Sequence, residues 1–331
     1  MKARALICII VIAALQAFAA LPLQAQQPVQ PPRYELGSFY DFYEPIYPIS
    51  SLQSKAENGD AASQYQLAVA YLHHDLAAPD YTSALRWLRT SASQGNPQAQ
   101  FLLGYLYEHG EGIDRDYAHA AENYQAAATQ RHLGAINNLA FLYQHGLGVR
   151  ENLGKTLELY LIAAQAGDAV AQCNLGFLYY RGQGIRQDYA LAAKWFRLAA
   201  EHGYARAQHA LGLLYYKGLG VPPDYSESAR WERLAAEQGE PQAETDLAHL
   251  YEFGKGVPLD YVAAYVWYSR AIAAGEKTGI ERRRSLLRIM TGKQLNAANA
   301  LLAASELPQG QRKSTAPKTV GLALVEAHPE Y

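Results

Sequence analysis

The chain has 331 residues, of which 50% are hydrophobic and 18% are charged, and its formal net charge is -2. This length and apolar content are enough for one long or two ordinary domains with a sizeable core. The near-zero charge excludes a global basic field of the kind that holds nucleic acid, so no nucleic-acid partner is expected.

The N-terminal residues 1–25 have the pattern of a secretory signal peptide. Lys2 and Arg4 form a short positive region, an apolar run follows, and Ala25 is a small residue at a cleavage position. The alternative is a retained membrane anchor, for which the apolar run is barely long enough. We therefore expect an exported protein, periplasmic or secreted, with no membrane insertion after the signal is cleaved.

Residues 26–55 form a segment rich in proline and aromatic residues. Because proline removes a backbone donor and clashes with the preceding turn, residues 26–51 are predicted to contain no regular helix. Two interpretations of the aromatic residues stay open. They either cover the first repeat as a cap or form a docking peptide for another protein.

A period of 36 residues organises the sequence from 56 to 275. Such internal repetition is typical of stacked helical hairpins. One glycine precedes each new segment, and Arg131 stands where one further glycine is expected. The members of this column are Gly59, Gly95, Gly167, Gly203, Gly239 and Gly275. A Gly-x-Gly motif recurs in phase at Gly110/Gly112, Gly146/Gly148, Gly182/Gly184, Gly218/Gly220 and Gly254/Gly256.

The Gly-x-Gly motif raises the alternative of a phosphate-binding loop, which needs one glycine loop placed after a strand. Here equivalent loops recur, and each follows an apolar pattern with helical spacing. The glycines therefore indicate a helix stop and a tight turn. The next column predicts the N-cap of a second helix. Its members are Asp80, Asp116, Asn152, Asp188, Asp224 and Asp260.

One repeat is predicted to contain helix A, at about 97–109, and helix B, at about 117–130. Such a pair is too small to bury its apolar face alone, so neighbouring pairs must share a core. The predicted fold is all-α, a right-handed α/α solenoid (superhelix) of about six 36-residue helix-turn-helix repeats.

Residues 168–203 contain Ala-x-x-x-Leu-Gly-x-x-Tyr from Ala171, Gly-x-Gly-Ile-x-x-Asp-Tyr from Gly182, and Ala-Ala-x-Trp-Phe-x-x-Ala-Ala-x-x-Gly from Ala192. This pattern resembles the Sel-one-like repeat, a family of the tetratricopeptide class of helical hairpins. The resemblance implies a protein-interaction scaffold, often an adaptor in exported bacterial assemblies, signalling or host contact. Its cysteine-rich branch, which is associated with penicillin binding and β-lactamase activity, carries a disulfide pair in each repeat. This chain lacks those cysteines, so that activity is not carried over.

Residues 276–306 are predicted to form C-terminal capping helices, and Thr291 with Gln294 fits a capping box. Arg282, Arg283 and Arg284 give a basic face, which is either solvated or directed at an anionic lipid or acidic partner. Residues 307–331 are polar and small, and we expect disorder there.

Helix A is expected to line the concave side of the solenoid, where it would bind a protein or peptide through rows not used for packing. The alternative is a solvated groove with no single partner. The predicted partner-binding residues are Phe101, Glu108, Asn137, Gln144, Tyr180, His209, Tyr216, Thr245 and Glu252.

No catalytic, cofactor-binding or metal site is predicted, and no nucleophile signature is present in the sequence. His109 and His145 share a repeat column and could hold a metal weakly, but their positions are better explained as helix ends. Cys173, the single cysteine outside the signal segment, is expected to be packed and inert rather than reactive. The predicted function is a monomeric, non-enzymatic exported scaffold. The alternative is a cell-envelope hydrolase or a peptidoglycan- or glycan-binding factor.

Overall fold

The computed structural model describes residues 49–72 and 79–305, and within these ranges the chain contains fifteen helices and no strand. The signal segment, residues 26–48 and the C-terminal tail lie outside the described residues. The helices are α1 (Ile49–Glu57), α2 (Ala61–Leu72), α3 (Tyr81–Ser93), α4 (Pro97–His109), α5 (Tyr117–Thr129), α6 (Leu133–His145), α7 (Leu153–Gln165), α8 (Ala169–Arg181), α9 (Tyr189–Glu201), α10 (Ala205–Lys217), α11 (Tyr225–Glu237), α12 (Pro241–Phe253), α13 (Tyr261–Ala273), α14 (Ile280–Ile289) and α15 (Gly292–Ser305).

Helices α2 to α13 form six helix A/helix B pairs, as the 36-residue period predicts. The predicted helices at about 97–109 and 117–130 are α4 and α5. The all-α repeat architecture is therefore confirmed. The chain divides into two compact units, with the boundary inside α7, between Tyr160 and Leu161. None of the helices in the described ranges has the length and hydrophobicity required to cross a bilayer.

The prediction that residues 26–51 contain no helix is wrong at its C-terminal end, because α1 begins at Ile49, directly after Pro48. A proline immediately before a helix does not interrupt the helix ladder, since the first backbone N–H groups have no intrahelical partner. Leu52 and Ala56 of α1 are buried in the core that α2 also lines. The side chain of Gln64 donates a hydrogen bond to the carbonyl of Ala56 at 3.0 Å.

The Gly-x-Gly loops connect helices, and their two glycines have different roles. The first glycine is a left-handed C-cap; in Gly110, at a φ of 73°, the backbone N–H donates to the carbonyl of Leu106. The second glycine also has positive φ, and it contacts the preceding helix pair. A Cβ at Gly148 would overlap the backbone of Tyr117, the first residue of α5. The interpretation as a helix stop and tight turn is confirmed.

The residues of the predicted N-cap column cap the helices that follow them, as expected. The carboxylate of Asp80 accepts from the backbone N–H of Ser83 at 3.0 Å, and that of Asp188 accepts from Leu191 at 2.9 Å. These side chains satisfy backbone donors that have no partner at the start of a helix. Each helix B therefore begins where its own sequence specifies, whatever packs against it.

A further glycine column lets helix A and helix B of one pair approach closely. A Cβ at Gly104 would lie 2.8 Å from the ring of Tyr124, and one at Gly176 would lie 2.6 Å from the ring of Phe196. At Gly212 the same position meets the carboxylate of Glu232 at 2.7 Å. Because these positions carry no side chain, helix A leaves room for a large side chain of helix B.

Arg131 stands in the glycine column at a φ of 62°, and it is the one non-glycine residue with positive φ among the described residues. The glycines of this column have φ values between 84° and 96°. An L-residue is strained in this left-handed region because its Cβ approaches the backbone carbonyl.

Replacing Gly176 with valine should lower the free energy of unfolding by about 3 kcal/mol, because the branched side chain would overlap the ring of Phe196. Urea unfolding followed by circular dichroism measures the change. Gly292→Val is the control, since a Cβ at Gly292 meets nothing within 4 Å. Equal stability of Gly176→Val and the parent would contradict the assigned packing.

Replacing Arg131 with glycine should raise the free energy of unfolding by about 1 kcal/mol by removing left-handed strain. Urea unfolding followed by circular dichroism measures this change in the free energy of unfolding. Gly203→Ala is the reciprocal control, because Gly203 has a φ of 84° and open space around its Cβ position. We expect the free energy of unfolding to rise in Arg131→Gly and to fall in Gly203→Ala. An unchanged free energy of unfolding in both variants would contradict strain at this column.

Candidate functional site

Three of the nine predicted partner-binding residues lie inside the protein rather than at a surface. Phe101, Glu108 and Asn137 are at most 2% exposed. The ring of Phe101 packs on Tyr124 at a centroid distance of 5.7 Å and stacks on His132 at 4.5 Å. The expectation that these three residues face a groove is wrong, because neighbouring helices cover them.

A buried hydrogen-bond network occupies this part of the first unit. The hydroxyl of Tyr124 donates to Glu108 Oε2 at 2.7 Å and accepts from the amide of Asn138 at 3.2 Å. Burial, reinforced by the negative charge of Glu108, raises the pKa of Tyr124 well above its usual range. In the next repeat the hydroxyl of Tyr160 lies 3.4 Å from Gln144 Oε1, and Gln144 is half-buried. Glu108 and Gln144 thus serve internal contacts.

In the second unit, Tyr180 and Tyr216 are partly exposed, and each belongs to a group of contacting rings. The ring of Tyr180 meets Tyr189 edge-on at 5.4 Å, and the ring of Tyr216 meets Tyr225 edge-on at 5.3 Å. Edge-to-face pairs of this kind hold each ring in one orientation. We call the set the aromatic row, and its members are Tyr180, Tyr189, Tyr216, Tyr225, His249 and Phe253.

The aromatic row continues from Tyr216 through His249 to Phe253, with ring centroids 6.1 Å and 4.6 Å apart. Tyr225 and Phe253 are 41% and 44% exposed. Lys255 donates to the hydroxyl of Tyr216 at 2.8 Å, so a cation lies beside the rings.

A second cation stands at the end of the row. The guanidinium of Arg282 lies 5.3 Å from the centroid of Phe253 and 3.7 Å from Glu252 Oε1. Burial lowers the pKa of His249 to about 4, and the positive charges of Arg282 and Lys255 add to this effect. His249 is therefore neutral at physiological pH and behaves as a ring of the row.

The remaining predicted residues have separate surroundings. Thr245 Oγ1 donates to the carbonyl of Pro241 on its own helix at 3.2 Å. Glu252 accepts from the hydroxyl of Tyr268 at 2.8 Å. His209 lies beside two carboxylates, which the sequence did not indicate.

His209, Glu232 and Asp246 form a cluster contributed by α10, α11 and α12. His209 Nδ1 lies 2.9 Å from Glu232 Oε2 and 3.8 Å from Asp246 Oδ2. Burial by itself lowers the pKa of His209, but the charges of Glu232 and Asp246 outweigh it and raise that pKa above its ordinary value. Burial raises the pKa of Glu232, against the attraction of His209. The signal that the sequence offers is a carboxylate, Glu232, in a helix B column that otherwise holds Leu88 and aromatic residues. The aromatic residues are Tyr124, Tyr160, Phe196 and Tyr268.

The model of the Sel1 repeat matches residues 61–96, 97–132, 134–168, 169–204, 205–240 and 241–276. The chain belongs to the Sel1 repeat family. The resemblance drawn from the repeat motif is therefore confirmed.

Solved Sel1 repeat structures share the fold. A protective antigen of uropathogenic Escherichia coli strains, which displays an SLR fold, is 32% identical over 78% of this chain with a TM-score of 0.69. A Sel1 repeat protein from Oxalobacter formigenes is 30% identical over 76% of this chain with a TM-score of 0.62. This chain covers 56% of the E. coli protein's own length and 99% of the Oxalobacter protein. Among curated proteins there is no match to this sequence.

Other residues singled out from the sequence have structural surroundings in the Sel1 repeats. Cys173 is fully buried, and burial raises the pKa of its thiol, in line with a packed and inert cysteine. His109 and His145 end α4 and α6, and each ring packs on an aromatic residue one turn earlier, Tyr105 and Phe141. No cofactor was expected, and the geometry described above does not test that expectation.

A glutamine column that links consecutive Sel1 repeats was missed, although its 36-residue spacing is visible in the sequence. Gln208 donates to the carbonyl of Ala200 at 3.1 Å and accepts from the amide of Gln238 at 2.7 Å. Gln100 and Gln130 repeat the amide pair at 2.9 Å. These bonds satisfy polar groups at the junction of one repeat with the next.

Acid should destabilise the protein through His249. Its pKa is lowered in the folded state, so the unfolded chain binds the proton first and stability falls as pH drops from about 6.5 towards about 4. In the preceding repeat the equivalent position is Leu213, so leucine fits this place in the fold. His249→Leu should therefore lose less melting temperature than the parent between about pH 6.5 and about pH 4. Thermal unfolding at several pH values measures it. The exposed His202→Gln is the control, and an unchanged acid sensitivity of His249→Leu would refute this assignment.

Proposed function

We propose that this chain is an exported, non-enzymatic, monomeric scaffold that binds a protein or peptide partner through the aromatic row. The observation that carries this proposal is the row itself, which places one pair of rings and a group of four contacting rings with two cations on consecutive Sel1 repeats. Aromatic and arginine side chains are enriched among residues that dominate binding energy at protein interfaces.

Contacts with neighbouring side chains hold the rings of the row in fixed orientations. Edge-on contacts fix Tyr216 against Tyr225, and Lys255 anchors the Tyr216 hydroxyl. A partner that inserts an apolar side chain between such rings loses little of the protein's own conformational freedom, which favours tight binding. Lys255 and Arg282 add positive charge at one end of the row, so a partner with a carboxylate near its apolar anchor fits this face best.

Export is supported by residues 1–25, with their positive start, apolar run and small residue at Ala25. A periplasmic or secreted location follows from such a signal. The E. coli relative at 32% identity is a protective antigen, which agrees with a protein that reaches the host. Of the nine predicted partner-binding residues, Tyr180 and Tyr216 remain in the proposed binding face. His209 lies on α10 with Tyr216, and Thr245 and Glu252 lie on α12 with His249 and Phe253.

Cross-linking of the tagged full-length protein in cells, followed by mass spectrometry, tests the proposal. The parent should capture a specific envelope or secreted protein, and the Tyr180→Ala, Tyr216→Ala double variant should lose that capture at least about tenfold, because removal of aromatic anchors costs roughly 2 kcal/mol.

The matched control is Leu191→Ala, Leu234→Ala, which removes two exposed apolar side chains from the helix B surfaces of the same unit. This control should capture as the parent does, and both variants should keep the parent's melting temperature within a few degrees. If the tyrosine double variant captured the partner as well as the parent does, the binding site would lie outside the aromatic row. Binding of glycan fragments with no protein partner would favour the envelope-factor alternative instead.

A further inference from the structure

The cluster of His209, Glu232 and Asp246 brings together three side chains that can each ligate a metal ion. They come from three consecutive helices, α10, α11 and α12, and one donor atom from each lies within 4.8 Å of the other two. The imidazole Nδ1 is 2.9 Å from the Glu232 carboxylate and 3.8 Å from the Asp246 carboxylate. The residues are far apart in sequence, so only the repeat stack creates this arrangement.

Glu232 is the unusual member of the cluster. Its side chain is 1% exposed and occupies a column in which the other helix pairs place Leu, Tyr or Phe. Its Oε2 bonds His209, while Oε1 lies over Gly212. A carboxylate buried in this way is costly unless it is paired, and such groups commonly bind a partner cation or metal ion.

We infer that His209 Nδ1, Glu232 Oε2 and Asp246 Oδ2 bind one divalent transition-metal ion of the zinc type. Zinc takes imidazole nitrogen and carboxylate oxygen at about 2.1 Å, which places neighbouring donors about 3 to 3.6 Å apart. The separation of His209 from Glu232 is already near this range, and Asp246 needs to move only slightly. The imidazole selects zinc-like ions over calcium and magnesium, which prefer oxygen donors alone.

The surroundings of the cluster favour a cation. Glu240 adds negative charge beside His209 and Glu232, and Glu276 adds it beside Asp246, where Lys217 is the opposing positive group. The Asp246 side chain is 44% exposed, whereas His209 is 14% exposed and Glu232 is buried. Asp246 therefore marks the entry side, where a further coordination position would face solvent.

A metal at this place would join two consecutive Sel1 repeats, because α10 and α11 belong to residues 205–240 and α12 belongs to residues 241–276. This inference does not rest on the proposed partner. It needs only the cluster, and it can be tested on the protein alone.

The test is a titration of the full-length protein, stripped with a chelator, with zinc chloride by calorimetry and with cobalt(II) by visible absorption. We expect one zinc per chain, a raised melting temperature, and a cobalt spectrum that reports nitrogen and oxygen ligands. Asp246→Asn should weaken zinc binding at least about tenfold while lowering the metal-free melting temperature by no more than a few degrees, since the side chain keeps its shape and is half exposed.

Two further variants complete the design. Glu232→Phe removes a ligand and restores the ring that Phe196 provides over Gly176, so it should fold and lose the stoichiometric zinc. His119→Ala is the control, because His119 and Asp116 form an exposed pair at 2.7 Å on a different helix, and its zinc binding should equal the parent's. The inference is overturned by the absence of stoichiometric zinc binding in the parent. It is also overturned by zinc binding that survives both Asp246→Asn and Glu232→Phe, or that disappears in His119→Ala.

Discussion

The contact between the second loop glycine and the start of the preceding helix B is the constraint on which the stack of repeats depends. Gly148 meets Tyr117, Gly220 meets Tyr189, and Gly256 meets Tyr225, each so closely that no side chain fits between the two backbones. This contact fixes where one helix pair sits on the next. Because Tyr189 and Tyr225 are also rings of the aromatic row, the same contact that holds the repeats together sets the spacing of the candidate binding face.

Much of the fold could be predicted because its signals are local. An aspartate before helix B satisfies backbone donors in its own first turn, and a glycine after helix A relieves strain at its own φ. Such signals do not depend on distant residues, so the bounds of α4 and α5 follow from the sequence. Which row of helix A is exposed is decided by what packs across it. Phe101 and Asn137 were assigned to a groove by helical periodicity alone, and periodicity identifies a face without identifying its neighbour.

The His209 cluster shows the second limit of sequence reasoning. Repeat columns identify Glu232 as the residue that departs from an apolar position, but they do not reveal that His209 and Asp246 converge on it from two other helices. Departures from a packing rule, where a polar group replaces an apolar one at a cost in stability, tend to coincide with functional or strained places. The glutamine column is the opposite case. Its members recur with the repeat, and their hydrogen bonds serve the architecture.

The cap recurs in every helix pair, and the glycine turn recurs in every pair after the first, so the signals that set the helix boundaries lie within each of these repeats. Gain or loss of one whole repeat would restore all contacts at the new junction, whereas an insertion of any other length inside a helix pair would displace a loop glycine from its tyrosine. The length of such a protein can therefore change during evolution in whole steps of one repeat. Gene duplication or deletion of whole repeats would therefore lengthen or shorten the candidate binding face.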